Sequence, residues 1–193
     1  MSCNISLGRL EGCKDQIGGL NAIYFVNFGD MGALSITDET VTGIAATTPS
    51  AYKYDLRGNS NFEQALTSSR ENGTTFAEQT LTVSLKKQDS GTHKEVKLLA
   101  YGRPHIIIED NNGNRFLMGE EFGSEMTASS STGSGMGDKS GYELSFVASE
   151  KGFAKFYTGD CRSIILTYLF YKRPLQKCRG FFCTIQYVYI VFK

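Results

Sequence analysis

From Thr80 to Leu85 the chain alternates strictly, with Leu81, Val83 and Leu85 on one side and Thr80, Thr82 and Ser84 on the other. A period of two belongs to a strand with one buried face. "AYKYDLR" (Ala51–Arg57) repeats the pattern, setting Tyr52, Tyr54 and Leu56 against Lys53, Asp55 and Arg57. "NAIYFVNF" (Asn21–Phe28) is apolar without alternation, and "GALSIT" (Gly32–Thr37) follows it across a Gly29-Asp30 turn. Turn chemistry at Gly58-Asn59-Ser60 and Glu71-Asn72-Gly73 divides the next stretch into two antiparallel arms, Asn61–Ser69 and Thr74–Lys87. The first arm and its turn hold few apolar groups, chiefly Phe62, Ala65 and Leu66.

One segment has a different period. In "DSGTHKEVKLLAYG", Asp89 or Ser90 can cap a helix, and Val96, Leu99 and Ala100 recur at helical spacing. Gly102 and Pro104 end it. "PHIIIED" and "NRFLMGEE" then flank Asn111-Asn112-Gly113, which predicts a hairpin with a type I′ turn. "EMTASSSTGSG" and "SGYELSFVASE" form a last strand pair around a Gly/Ser loop. The pattern predicts a mainly-β fold of about eight strands. Its arrangement is a β-sandwich or small barrel with one short flanking α-helix and a long β-hairpin arm.

Composition agrees with a packed core: 40% of the 193 residues are apolar, with 13 Phe and 10 Tyr. Charge divides the chain. Residues 1–160 hold 14 Lys/Arg and 20 Asp/Glu, a net of −6, whereas residues 161–193 hold 6 Lys/Arg and no acid. We therefore divide the chain into a 1–160 β domain and a basic, apolar 161–193 tail. Three readings of the tail stand open: a further strand pair, a membrane- or partner-facing segment, or a non-native C-terminus such as frameshifted translation. The first nineteen residues hold no apolar run of the secretory type, and no stretch reaches the ~18 apolar residues of a spanning helix. The expectation is synthesis in a cytoplasm, with the five cysteines reduced.

Catalytic patterns are scarce. His93 and His105 have no second ligand at metal spacing and read as surface or packing residues. No G-x-S-x-G elbow is present. "TGSGMGD" (Thr132–Asp138) has phosphate-loop glycines but leads into a strand instead of a helix, so a β–β loop is expected. Glu120, Glu121 and Glu125 could attract a cation, and read better as a solvated face. No cofactor is expected. An acidic body argues against tight nucleic-acid binding.

The segments "YKYDLRGNSNFEQALTSSRENGTTFAEQTLTVSLKK", "KEVKLLAYGRPHIIIEDNNGN" and "GDKSGYELSFVASEKGFAKFY" resemble the tail tube proteins (major tail proteins) of tailed bacteriophages. The resemblance covers roughly residues 1–157 and stops before the tail. It implies a non-enzymatic structural protein of the virion tail, made in the host cytoplasm. It also implies stacked homohexameric rings that contact other tail proteins and pass DNA through their lumen without specific binding, away from any membrane. The hairpin is then the expected inter-subunit element. Phe62 and Leu66 share one face and would meet a partner, Glu63 and Thr67 lie on the other, and Asn72-Gly73 makes the turn. The runner-up is a monomeric β-sandwich binding module for a receptor or carbohydrate.

Overall fold

The computed structural model describes residues 7–44 and 50–159. The basic tail and its alternative readings lie outside the described residues. In chain order the elements are β1 (Leu20–Val26), β2 (Leu34–Thr37), β3 (Thr40–Ile44), β4 (Ala51–Asp55), β5 (Asn61–Ser69), β6 (Thr74–Lys86), α1 (Ser90–Tyr101), β7 (His105–Asp110), β8 (Arg115–Met118), β9 (Glu125–Ser131), β10 (Gly141–Glu150) and β11 (Lys155–Tyr157). They form two sheets. The larger, sheet A, has the order β2-β3-β11-β8-β7-β1-β4, and the smaller, sheet B, the order β5-β6-β10-β9. Among the described residues the fold is mainly β with one helix, as the pattern predicts.

The two non-alternating apolar runs become the neighbouring interior strands β1 and β7 of sheet A. Ile23, Phe25, Ile106 and Ile108 face sheet B and join Leu81, Val83, Leu144 and Phe146 in one core. Ala22, Tyr24, Val26 and Ile107 point the opposite way, into a second core with Val41, Leu117 and Tyr157. Leu34 of β2 and Ile44 of β3 pack on this second core, so the far end of sheet A contributes cover for its own outer face. Burial on both faces explains why these strands carry apolar side chains at consecutive positions.

Sheet B has one dry face. Crossing it, Phe62, Leu81, Phe146 and Met126 stand in one register row. The next row outward reads Glu63, Thr80, Val147 and Glu125. Phe25 and Phe146 meet across the sandwich with ring centroids 5.2 Å apart, and Tyr54 meets Phe25 edge-on at 5.0 Å. Gly141 opens β10 where a Cβ would collide with the Leu85 carbonyl, so close pairing with β6 requires glycine there. Helix α1 begins at Asp89, whose side chain accepts a bond from the Gly91 N–H, and buries Val96.

Several expectations are corrected. Eleven strands are present among the described residues, where about eight were expected. β3 and β11 escape the pattern because each is short and supplies little alternation; β3 pairs antiparallel with its sequence neighbour β2, and β11 joins β3 in parallel from more than a hundred residues away. The Asn111–Gly113 turn is not type I′, which needs positive φ at two positions. Within it only Gly113 has positive φ, +84°. The Gly113 N–H donates to the Asp110 carbonyl and the Asp110 N–H to the Asn114 carbonyl. That is a type I turn closed by a left-handed glycine. The side chain of Asp110 outcompetes the I′ geometry by accepting from the Asn112 and Asn114 backbone N–H groups at 2.9 and 2.7 Å. The hairpin is also less of an arm than its polarity suggests. β10 pairs with β6 as far as Ala77, so only the pairs Thr67/Phe76, Ser68/Thr75 and Ser69/Thr74 and their turn extend past it. At ~3.3 Å per residue this is roughly 10 Å of free ribbon.

Replacing Phe146 by Ala removes the ring that joins the two sheets. We expect a loss of about 3–5 kcal/mol in a urea unfolding titration with little change of slope. A loss below ~1 kcal/mol would show that the sheets are held together elsewhere.

Candidate functional site

His105 is buried, its Nδ1 hydrogen-bonded to the Gly119 carbonyl and its ring stacked on Phe28 at 5.1 Å. His93 lies against Tyr142 at 6.1 Å. Both have packing environments. Glu120 and Glu121 are divided between two lysines, Lys155 at 2.7 Å and Lys151 at 2.7 Å. Glu125 sits apart from them at the start of β9. Among the described residues no group of three His, Cys, Asp or Glu side chains converges in a way that could hold a metal. No helix among them is long and apolar enough to cross a membrane.

The glycine-rich loop does form an anion cradle, and its own carboxylate fills it. Asp138 accepts from the Gly135 N–H at 2.7 Å, the Ser134 N–H at 2.9 Å and the Ser134 hydroxyl at 2.9 Å. Those bonds, led by the Gly135 amide, hold its carboxyl below the usual aspartate range. The amides a phosphate would need are thereby occupied.

Buried polarity concentrates where the β8–β9 connection meets sheet B. Gln79 accepts from the Gly119 N–H and donates to the Gly152 carbonyl. Glu150 accepts from the Glu121 and Phe122 N–H groups through one oxygen. Burial raises the Glu150 carboxyl above its ordinary value, and those two bonds offset only part of the effect. These residues act as internal struts. They hold the loop against the end of the sheet from which the hairpin projects.

What remains is surface, and sheet B supplies the most distinctive part of it. Its outer face carries Thr80, Thr82, Thr127, Ser129, Ser145 and Ser149 among Glu63, Glu78, Glu125 and Glu143. Lys139 pairs with Glu143 at 2.7 Å, and Val147 is the main apolar group in the middle of the face. Among the described residues both boundary strands, β5 and β9, have a strand neighbour on one side only, and α1 packs beside β9. Each leaves half of its backbone N–H and C=O groups without a strand partner.

The hairpin residues separate in the structure. Phe62 is half-buried and packs on this chain's own core, 6.0 Å from the Phe116 ring. The face on which a partner contact was expected therefore also packs inside the subunit. Gln64, between Phe62 and Leu66, is likewise engaged and accepts from the Ala154 N–H at 2.7 Å. Leu66 is 49% exposed near the free end of the ribbon. Glu63 and Thr67 lie on the outer face opposite Thr80 and Phe76. Asn72 donates its N–H to the Ser69 hydroxyl, and Gly73 takes φ +62° to close the turn. Sequence reading passed over Phe76, exposed on the outer face at the tip, although its parity with Thr80 and Thr82 marks it as outward.

Another feature lies along the edge of sheet A. A groove of about 390 Å³ runs between α1 and β4, bordered by Phe28, Tyr52, Leu98 and Arg103. The Arg103 guanidinium stands 5.4 Å over the Phe28 ring. Comparison of the chain with protein-family models, with curated proteins and with solved structures finds no match.

The two halves of the former pair should now behave differently. Phe62→Asp puts charge against the core and should cost roughly 2–4 kcal/mol of stability in urea. Leu66→Asp should change stability by less than ~1 kcal/mol, because its side chain is half in water already. Equal losses would place Leu66 in the core as well.

Proposed function

We propose that this chain is a self-assembling structural subunit of a bacteriophage virion. In this reading it builds the tail tube from stacked hexameric rings through which DNA is ejected. The observation that carries the reading is a four-stranded sheet whose two edges have no strand partner among the described residues, with a hydroxyl-rich, acidic outer face. β5 of one copy can pair with β9 of the next, so that every copy uses both edges and the set closes into a ring. Closure removes the aggregation hazard of two exposed edges. Six as the number of copies comes from the resemblance to tail tube proteins.

The outer face of sheet B would then be the lumen wall. Its threonines and serines offer weak, interchangeable hydrogen bonds. Its four glutamates repel phosphate and prevent the tight contacts that would stall a moving duplex. No catalytic role is assigned to any residue, and no cofactor.

The groove between α1 and β4 favours a second reading, a monomeric binding module that takes a ligand against Phe28, Tyr52 and Leu98. The two readings differ in what purified protein does. Negative-stain electron microscopy of concentrated wild type should show rings or tubes. A sharp monomer in sedimentation velocity at every concentration would favour the binding module.

The edge pairing has its own test. In a background with the five native cysteines changed to serine, Ala65→Cys on β5 and Thr127→Cys on β9 should cross-link under oxidation. The expected product is a ladder of covalent oligomers ending at a closed ring. Cross-linking no greater than that of either single variant would exclude the β5–β9 joint. For DNA, a fluorescence anisotropy titration with duplex at physiological salt should show no saturable complex, and submicromolar binding would contradict the smooth-wall reading.

A further inference from the structure

The connection between β8 and β9 is fixed at its flanks and held in its middle by a carboxyl group. At one flank the Gly119 N–H donates to Gln79 and the Gly119 carbonyl accepts from His105. At the other, the Ser124 N–H and hydroxyl both donate to the Pro104 carbonyl, at 3.1 and 2.7 Å. Gly119 and Gly123 bracket the middle in left-handed conformations, φ +72° and +73°. A Cβ at Gly119 would stand 2.8 Å from the Gly123 carbonyl carbon, so both ends of the short bend depend on glycine. Between them, the Glu121 and Phe122 N–H groups donate to one oxygen of Glu150 at 3.0 and 3.1 Å.

Glu150 is only 6% exposed. Two further carboxylates stand beside it, and each of those has its own lysine: Glu120 has Lys155 and Glu121 has Lys151, both at 2.7 Å. Glu150 has no cation within ion-pair distance among the described residues. Opposite it on β6 is Ala77, with Leu66 of β5 beyond, so neither strand brings a charge. His105 reaches the connection only through the Gly119 carbonyl. With Glu150 ionised, the cluster holds three negative charges against two positive ones, and the unmatched charge is the buried one. Such a charge is costly unless it is neutralised or hydrated.

We propose that Glu150 is a proton-operated latch on residues 120–122: neutral, it holds them against the end of sheet B, and ionised, it releases them to water. In the closed form the oxygen that faces the two N–H groups acts as acceptor, and the proton sits on the other oxygen. Opening lets water reach the carboxylate, while the anchored flanks confine the movement to these three residues. Burial, the largest influence, raises the Glu150 carboxyl above its ordinary value of 4.5; the two N–H bonds oppose this, and Glu121 and Glu120 add to it. When the latch opens, the carboxyl regains its ordinary behaviour and gives up its proton first as pH rises. The closed form is therefore favoured most below the ordinary value, and that preference is lost as pH rises through the raised one. The latch works within one subunit and does not depend on the assembly reading.

The test compares the full-length wild type with Glu150→Gln, which keeps an acceptor oxygen and cannot ionise. Amide hydrogen exchange is followed at Glu121 and Phe122 and corrected for the chemical exchange rate at each pH. From about pH 4.5 to about pH 7.5, opening at these two amides in wild type should rise at least about threefold relative to the variant. The Gly119 and Ser124 amides should show no such divergence. Any response of His105 is common to both proteins and cancels. A ratio that stays constant with pH overturns the proposal and leaves Glu150 a prop whose charge is immaterial. So does a variant that is less protected than wild type at every pH. If the variant does not fold, the Phe122 amide shift of wild type decides. A titration midpoint above the ordinary glutamate value supports the latch, and a midpoint at or below it overturns the latch.

Discussion

Antiparallel pairing of β1 with β7 puts Phe25 opposite Ile106 and Ile23 opposite Ile108, and each side chain next to these on the strand points the other way into a second core. The rest of the subunit is arranged around this two-sided burial. On one face it provides the floor on which sheet B packs through Phe146, Leu144 and Leu81. On the other it is covered in part by the β2–β3 end of its own sheet. Sheet A thereby absorbs apolar surface on both sides, while sheet B uses only one face and leaves the other polar.

That asymmetry produces the surface on which the functional reading depends. Because the core is complete within one chain, the outer face of sheet B needs no cover and can be built from Ser, Thr and Glu. The edges β5 and β9 are a separate matter. Their backbone groups project sideways, and burial beneath the sheet does nothing to satisfy them. A subunit can therefore be stable alone and still have unfilled pairing capacity at its margins. In the proposed ring those margins are filled by identical copies, and the hydroxylated face becomes the inner wall.

The struts at one end of the sheet connect the two roles. Gln79 and Glu150 fix the Gly119–Ser124 connection against β6 and β10 by hydrogen bonds to its backbone. The ribbon beyond Ala77 thus leaves a rigid base. A projecting element is useful for assembly only if its direction is set, since ordering a loose arm on contact would cost conformational entropy.

Local chemistry was legible along the chain. The alternation from Thr80 to Leu85 marked the dry and wet faces of β6, Asp89 and Gly102 bounded the helix, and the consecutive isoleucines of β7 marked a buried strand. These follow from short-range geometry, in which side-chain direction depends only on position along a strand or helix. β3 and β11 were hidden because a three- to five-residue strand has too few positions to show a period, and their pairing joins residues over a hundred apart. The side chain of Asp110, not the Asn-Gly dipeptide, chose the turn after β7. Alternation sorts the first hairpin arm into two faces, and Phe62 packs inward. Whether one half-apolar face meets a partner or its own core depends on what the fold sets beneath it, and here Phe116 of β8 stands under Phe62. The same holds for the charges. The sequence by itself determined an acidic body with a mainly-β pattern. Only tertiary pairing put Glu150 beside Glu120 and Glu121 at one end of sheet B, because antiparallel strands carry residues distant in sequence to the same end.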